Sequence, residues 1–305
     1  MMFDLHRLKL LREFKHRGTL SAVAVALSYS PSTISQQLSQ LEREVGVRLL
    51  VPDGRRLRLT PQAEILVGHA EVILRQVTAA ESDIARSMEE LIGTVCISAF
   101  QTVNLSLIPI MLTELKELHP GLRVEVAQID SETALRTMLA GDLDLVVGEE
   151  YPGHPISRSA ELERVELSVD RVRLAHPAGH RLSPDTRGMA DLAGRAWVME
   201  PSGCASRQWA VELCRDAGFE PDVRYETSDI MMHLRLVEQG HAVALLPDLL
   251  WFEQPPTVPL RPLVRRPDTR KLFTATQRGN GEHPAVAACR DSLLRAVHAL
   301  ADISI

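Results

Sequence analysis

Cysteine is scarce in this chain of 305 residues, and the four present (Cys96, Cys204, Cys214 and Cys289) are widely scattered with no C-x-x-C pair. The eleven histidines show no ligand spacing with them, so neither a disulfide framework nor a structural metal is expected. Long apolar runs are missing too. The opening MMFDLHRLKLLREF interleaves charge with apolar residues at helical spacing, which is neither a secretory leader nor a membrane span, and a cytoplasmic protein is expected. No Ser/His/Asp order, paired-carboxylate spacing or phosphate loop stands out, so no catalytic residue, enzyme activity or cofactor is expected. With 45% hydrophobic and 24% charged residues, the chain is long enough for two or three domains with proper cores.

The net charge of -6 argues against a nucleic-acid partner until it is divided along the chain. Residues 1–60 hold ten Lys/Arg against five acids, and the remainder holds 24 against 35, so a basic head is joined to an acidic body. Within that head lies GTLSAVAVALSYSPSTISQQLSQLEREVG, residues 18–46. Val23, Ala24 and Leu27 share one helical face, Tyr29 plugs the turn, and Ser30-Pro31 supplies a cap followed by a first-turn proline. Along the next helix Ile34, Leu38, Leu41 and Val45 recur at steps of four, three and four. The pattern reads as a helix-turn-helix. The opposite face carries Ser32, Thr33, Ser35, Gln36, Ser39 and Arg43, short polar groups able to reach base edges in a major groove. A solvated face of an ordinary helical hairpin is the plainer alternative, and the residues downstream weigh against it.

A first helix near residues 5–16 should bury Leu5, Leu8, Leu10 or Leu11, and Phe14 as a third support. After the hairpin, LLVPDGRRLRLT (49–60) has an Asp53-Gly54 turn, with Leu57 and Leu59 alternating with Arg56 and Arg58. That is a two-stranded wing whose Arg55 and Arg56 could reach phosphate. Residues 61–91 then run helical, with two interleaved seven-residue series: Leu66, Ile73 and Ala80, then Ala70, Val77, Ile84 and Leu91. Heptads predict a seam with a second copy, the alternative being a helix packed on its own body.

Beyond Gly93 strands and helices alternate: strands at 94–100, 122–129 and 143–148, helices at 105–119 and 132–140, in a parallel α/β unit. A second unit has strands at 171–176, 196–200, 223–227 and 241–247 and helices at 205–217 and 230–239. The chain returns through 271–277 and ends in a helix at 284–301. Two lobes with crossings near 165 and 265 enclose a cleft.

Together these residues resemble the LysR-type transcriptional regulators over essentially the whole chain. The match is most specific in the head, at Ala24, Leu27, Ser30, Ile34, Ser35, Gln37, Leu38, Leu41, Glu42, Val45 and Gly46, followed by GRRLRLT. LIPIMLTELKELHPGLRVEV, AGDLDLVVG and VEQGHAVALLP extend it. The turn departs from the family, since Ser30-Pro31-Ser32 stands where Ser-Gln-Pro is usual; the wing opens Leu50-Val51-Pro52, and Ala63 replaces a family glycine.

The resemblance implies an α/β protein with an N-terminal all-α winged helix-turn-helix (1–61), a linker dimerisation helix (62–92), and an effector-binding domain (93–305) of two Rossmann-like lobes resembling type 2 periplasmic binding proteins. Lobe I would span about 93–165 and 266–305, and lobe II about 166–265. The expected partners are a two-fold promoter operator in double-stranded DNA, a small organic effector, and a second copy of the chain, with a homotetramer common in the family. Base and phosphate contacts fall to Ser30, Ser32, Thr33, Ser35, Gln36, Arg43, Arg55 and Arg56.

In the cleft the expected effector residues are Gln101, Thr102, Glu149, Glu200, Ser202 and Asp229. Thr102 occupies a frequent effector position of the family, and Asp229 reads more readily as a helix cap. The family's effectors are often anionic, and Gln101 and Thr102 at the start of a helix would favour a carboxylate, whereas Glu149 and Glu200, if both face the cleft, would disfavour an anion and suggest a cationic or amphoteric ligand. Cys204 near a helix start could be an oxidation sensor, but a small packing residue is the preferred reading.

Overall fold

A computed structural model describes residues 3–27, 29–54, 56–87, 90–179, 189–252, 254–263 and 268–303. The head begins with α1 (Leu5–Arg17), capped by the Asp4 carboxylate, which accepts from the amides of His6 at 2.8 Å and Arg7 at 3.3 Å. It ends at Gly18, whose φ of 75° suits a residue without Cβ. Next come α2 (Leu20–Ala26) and α3 (Pro31–Val45), then β1 (Leu50–Asp53) and β2 (Arg56–Leu59), antiparallel about the Asp53-Gly54 turn. Leu8, Leu11, Phe14, Val23, Ile34, Leu38 and Leu41 form one buried core, closed by Leu49 and Leu59 from the wing.

Two expected members of this core lie outside it. Leu5 is 45% exposed because it starts α1 and projects past the packed region. Tyr29 is also 45% exposed and does not plug the turn; its ring lies edge-on to His6, 5.6 Å between centroids. Glu13 is fully buried instead, ionically paired with Arg12 at 2.8 Å and Arg17 at 2.9 Å.

The linker helix α4 (Pro61–Arg86) is a single helix of 26 residues. Its N-terminal half corrects the expected seam: Leu66 and Ala70 are buried in the head core and Ile73 packs against it. The exposed apolar residues are Ile65 (64%), Val72 (47%) and Ile84 (65%), of which only Ile84 belongs to the expected series, and Leu91 of that series lies beyond the end of α4. Both faces carry apolar residues, so periodicity alone could not say which one met the head.

The body starts with β3 (Gly93–Ala99), α5 (Gln101–Leu105), α6 (Leu107–Leu118), β4 (Leu122–Gln128), α7 (Ser131–Leu139) and β5 (Leu145–Glu150). The helix expected over 105–119 is α6, and a short α5 that was not expected precedes it, the two separated at Ser106, whose hydroxyl donates back to the carbonyl of Thr102 at 2.7 Å. β6 (Leu162–Ala175) is followed by β7 (Ala196–Met199), α8 (Ala205–Asp216), β8 (Asp222–Glu226), α9 (Ile230–Glu238) and β9 (Ala244–Pro247). β10 (Leu260–Arg261), β11 (Thr269–Gln277) and α10 (Pro284–Ile303) complete the chain.

β4 and β5 flank β3 in parallel, whereas β11 runs antiparallel to both β5 and β6. The sheet is therefore mixed rather than parallel throughout. β6 joins the lobes: its partner over 162–171 is β11, while residues 172–175 pair with β9 and 174–175 also with β10. The crossing expected near 165 thus falls within a continuous strand, and passes from one lobe to the other near residue 171. Only the second half of β6 was legible, because Glu163, Arg164 and Glu166 mask the alternation of the first half. In lobe II, β7 pairs β8 in parallel and bridges to Val243 just before β9.

Helices α6 and α10 cover one face of the lobe I sheet through Leu107, Met111, Cys289 and Leu293. On the other, Ala134, Leu135 and Met138 of α7 pack with Phe273. Gly148 sits opposite Phe273 in the β5–β11 ladder, and a Cβ there would meet the ring at 2.4 Å. Trp197 and Trp209 anchor the lobe II core. The head touches the body through α1, where Arg17 pairs with Asp142.

Candidate DNA-binding face and interlobe cleft

The exposed face of α3 presents Ser32, Ser35, Gln36, Ser39 and Arg43. Ser30 is the N-cap of that helix, accepting from the Thr33 amide at 3.1 Å, and its hydroxyl also bonds those of Ser32 (2.7 Å) and Thr33 (2.8 Å). These three hydroxyls finish the helix start as well as facing outward. Gln37 turns inward and accepts from Arg7 Nε at 3.0 Å. Arg56 is exposed on the wing, and Arg55 lies outside the described residues. One carboxylate ties wing to recognition helix: Glu42 Oε1 accepts from the amides of Leu49 at 2.8 Å and Leu50 at 3.0 Å.

Between the lobes lies a cavity of about 380 Å³. Lobe I contributes Thr102 at the start of α5, Glu149 and Tyr151 from the end of β5, and Arg270 from β11. Lobe II contributes Trp197 of β7, Glu200 just beyond it, and Arg207 and Trp209 of α8. Arg270 is the hub. Its Nε and Nη2 donate to Asp170 Oδ2 at 2.9 and 2.7 Å, Nη1 to Glu149 and to Tyr151 Oη at 3.5 Å, and Nη2 also to Thr102 Oγ1 at 2.7 Å. Burial disfavours its charge, but Glu149, Tyr151 and Asp170 more than offset that and hold it ionised.

The carboxylates respond in the opposite sense. Burial raises Glu149, against the pull of Arg270 and with a further push from Glu200. Asp170 is raised by burial while Arg270 opposes, and Glu200 is raised by burial while the hydroxyl of Ser206, donating to it, opposes. The Tyr151 phenol is pushed up by burial and by Glu149. Burial lowers His233. The Cys204 thiol is pushed up by burial and then by Glu200, Asp130, Glu132 and Glu149, conditions that favour the unreactive thiol.

Gln101 and Asp229 meet each other across the cleft mouth. Gln101 Nε2 donates to Asp229 Oδ1 at 2.8 Å, and Gln101 Oε1 accepts from the Ile230 amide at 2.7 Å. Asp229 also caps α9, accepting from Met231 at 3.0 Å. Ser202 is exposed and is not among the residues lining the cavity; the turn at 202–203 carries it outward and leaves Cys204, Ser206 and Arg207 at the wall. Sequence reading missed Arg270, Asp170, Tyr151 and both tryptophans. The signal was faint: Arg270 and Asp170 are charged residues at buried positions, but Lys271 in β11 and Glu163, Arg164, Glu166 and Arg171 in β6 are charged neighbours at unburied ones, so burial and not sequence sets the two apart.

Away from the cleft, His16, Glu71 and Glu161 bring ligand atoms within 4.8 Å of one another, a metal-compatible group that sequence spacing did not reveal. Among the described residues no helix is long and apolar enough to cross a membrane.

Two family descriptions cover the chain: "Bacterial regulatory helix-turn-helix protein, lysR family" matches residues 5–64, and "LysR substrate binding domain" matches residues 89–297. The transcriptional dual regulator GltC of Bacillus subtilis is 25% identical over 280 residues, 92% of each chain. Among solved structures, a full-length OxyR variant from Pseudomonas aeruginosa superposes with a TM-score of 0.67 at 18% identity, over 96% of this chain and 95% of that one. Full-length CbnR complexed with its target DNA superposes at 0.51 with 21% identity, over 96% and 99%. With the basic winged helix-turn-helix and the two-lobed body both matched, on either side of the linker helix, this chain belongs to the LysR family of DNA-binding transcriptional regulators.

Proposed function

We propose that this regulator binds a two-fold promoter site as a homodimer, reading bases with α3 and phosphates with the wing, and that a small organic effector in the interlobe cavity changes the spacing of the two heads. The observation that carries the DNA half is the exposed row Ser32, Ser35, Gln36, Ser39 and Arg43 on one face of a capped helix. CbnR, of like fold, has been solved with its target DNA. Arg43 and Arg56 contribute phosphate contacts, as does Arg55 in this reading. The effector half rests on the cavity between the lobes, where Thr102, Glu149 and Glu200 converge and Gln101 and Asp229 bridge the mouth. Ligand binding there shifts the balance between lobe arrangements. The body senses and does not turn over its ligand, and the protein works in the cytoplasm, where its DNA is.

Dimerisation is assigned to α4, with two dimers associating further as the family commonly does. The exposed Ile65 and Val72 are seven residues apart, one heptad on the face that the head leaves uncovered, and a second copy of α4 would bury them. Replacing both by Glu should convert the protein to monomers in sedimentation velocity. An unchanged mass would place the interface elsewhere.

The deciding experiment is binding of the full-length protein to DNA fragments from around its own coding region at several salt concentrations. A protected two-fold site with a steep salt dependence is expected. Arg43→Ala should weaken binding across sequences and reduce the slope of log affinity against log salt by about one. Selective binding with a slope unaltered by Arg43→Ala would remove Arg43 from the phosphate contacts.

A further inference from the structure

We propose that the effector of this cleft is a small organic cation, an ammonium or guanidinium group held between Glu149 and Glu200 with its apolar body against Trp197, Trp209 and Tyr151. The inference rests on reading the cleft as the effector site.

The most deeply buried cation of the cleft, Arg270, is already engaged. A guanidinium has five N–H donors in a fixed fork. Those of Arg270 go to Asp170 twice and to Glu149, Tyr151 and Thr102 once each. Nothing on Arg270 is left to grip a carboxylate. The amide of Gln101 is likewise spent on Asp229 and the Ile230 backbone. Arg207 remains, half-buried at the wall and donating to the carbonyl of Glu200 at 3.2 Å.

The charge balance of the cavity favours the same sign of ligand. Asp130, Glu149 and Glu200 line the cavity and Asp170 lies behind it, against Arg207 and Arg270. An anion entering would add to an existing negative excess, whereas a cation would relieve it. The Cys204 thiol, which also lines the cavity, reports that field: every charged group acting on it is a carboxylate.

The wall itself is suited to a cation with an apolar body. In a chain with only twelve Trp, Tyr and Phe residues, four of them, Phe100, Tyr151, Trp197 and Trp209, border this one cavity. The Phe100 ring already carries the Arg270 guanidinium, 5.0 Å from its centroid, so the cleft uses a ring to hold a cation once within its own structure. Tyr151 and Trp209 stand 5.3 Å apart between centroids and form the remaining aromatic corner.

The test compares three probes of one shape on the full-length protein: phenethylamine, 3-phenylpropanoate and 2-phenylethanol. The readouts are tryptophan fluorescence and thermal unfolding at about pH 7.5. Phenethylamine should bind at least tenfold more tightly than either other probe, and Glu200→Gln should abolish that preference while Glu117→Gln, at an exposed position of α6 away from the cavity, preserves it. The titratable and charged groups around the bound cation are Asp130, Glu149, Tyr151 and Arg270 from lobe I, with Asp170 behind Arg270, and Glu200, Cys204, Arg207 and His233 from lobe II. Because the carboxylates among them hold protons more tightly when buried, amine binding should weaken as pH falls from about 7.5 to about 5. Tighter binding of 3-phenylpropanoate, or amine binding indifferent to Glu200→Gln, would overturn the cation and leave the cleft as an effector site. No response to any probe, in protein that still binds DNA, would overturn both.

Discussion

Arg270→Met is expected to destabilise the effector-binding body by about 3–5 kcal/mol at neutral pH, the range for removing one partner from a buried ion pair. The side chain is buried and spans three strands, accepting no substitute for its fork: Asp170 on β6, Glu149 on β5 and the Thr102 hydroxyl all face it. Without it, two carboxylates remain in the interior with their compensating charge gone. Both already have raised affinities for protons, because burial outweighs the attraction of Arg270. Losing that attraction raises them further. A carboxyl whose folded-state value lies above its unfolded value contributes stability that is present at low pH and lost as pH rises through the folded value. The deficit of the variant should therefore grow from about pH 5 to about pH 8. Urea unfolding across that range is the measurement, and Glu149→Gln in the same background should recover part of the loss. A deficit below about 1 kcal/mol and flat with pH would mean that water reaches the site and solvates the carboxylates.

Glu42→Ala should impair DNA binding without touching a DNA-facing group. One oxygen of Glu42 accepts two backbone amides, those of Leu49 and Leu50, where the chain leaves α3 and enters the wing. Hydrogen bonds to a charged acceptor contribute about 1.5–3 kcal/mol each, and the buried Leu49 amide would have no replacement partner. We expect the head to lose roughly 3 kcal/mol and DNA affinity to fall at least tenfold as the wing shifts relative to α3. Glu42→Gln keeps an acceptor oxygen in place and should recover most of the loss. Calorimetry of the full chain should show the head transition moving while that of the body stays. DNA binding and head stability both unchanged in Glu42→Ala would show that β1 and β2 hold the wing by their own pairing.

The same glutamate shows why part of the head was legible in one dimension. Leu38, Leu41 and Val45 repeat at helical spacing, and Ser30-Pro31 and Gly46 mark the ends of α3, so the helix, its buried stripe and its free face come from local pattern. Glu42 was visible as part of a family motif, but its partners lie seven and eight residues on, beyond a turn that periodicity does not describe. Leu66 and Ala70 make the converse point. Their heptad spacing is real, yet the head's core covers them, because a helix with apolar residues on two faces lets packing choose which is buried by its own chain. Strand β6 was harder still, since Glu163, Arg164 and Glu166 concealed its lobe I half, which pairs with β11, and left only the lobe II half legible.

The sequence by itself determined the basic head and acidic body, the helix-turn-helix with its wing, the alternation of strands and helices, and membership of one regulator family. Each of these is written in short-range periodicity, in turn residues or in charge counted along the chain. Only the tertiary structure decided what the cleft can hold. Thr102, Glu149, Asp170 and Arg270 come from four separate stretches and meet because β5, β11 and β6 are neighbours in one mixed sheet with α5 at its edge. Whether a buried arginine is free to bind an anion or is already spent depends on how many carboxylates lie within about 3 Å of it, and that distance exists only once the strands are paired.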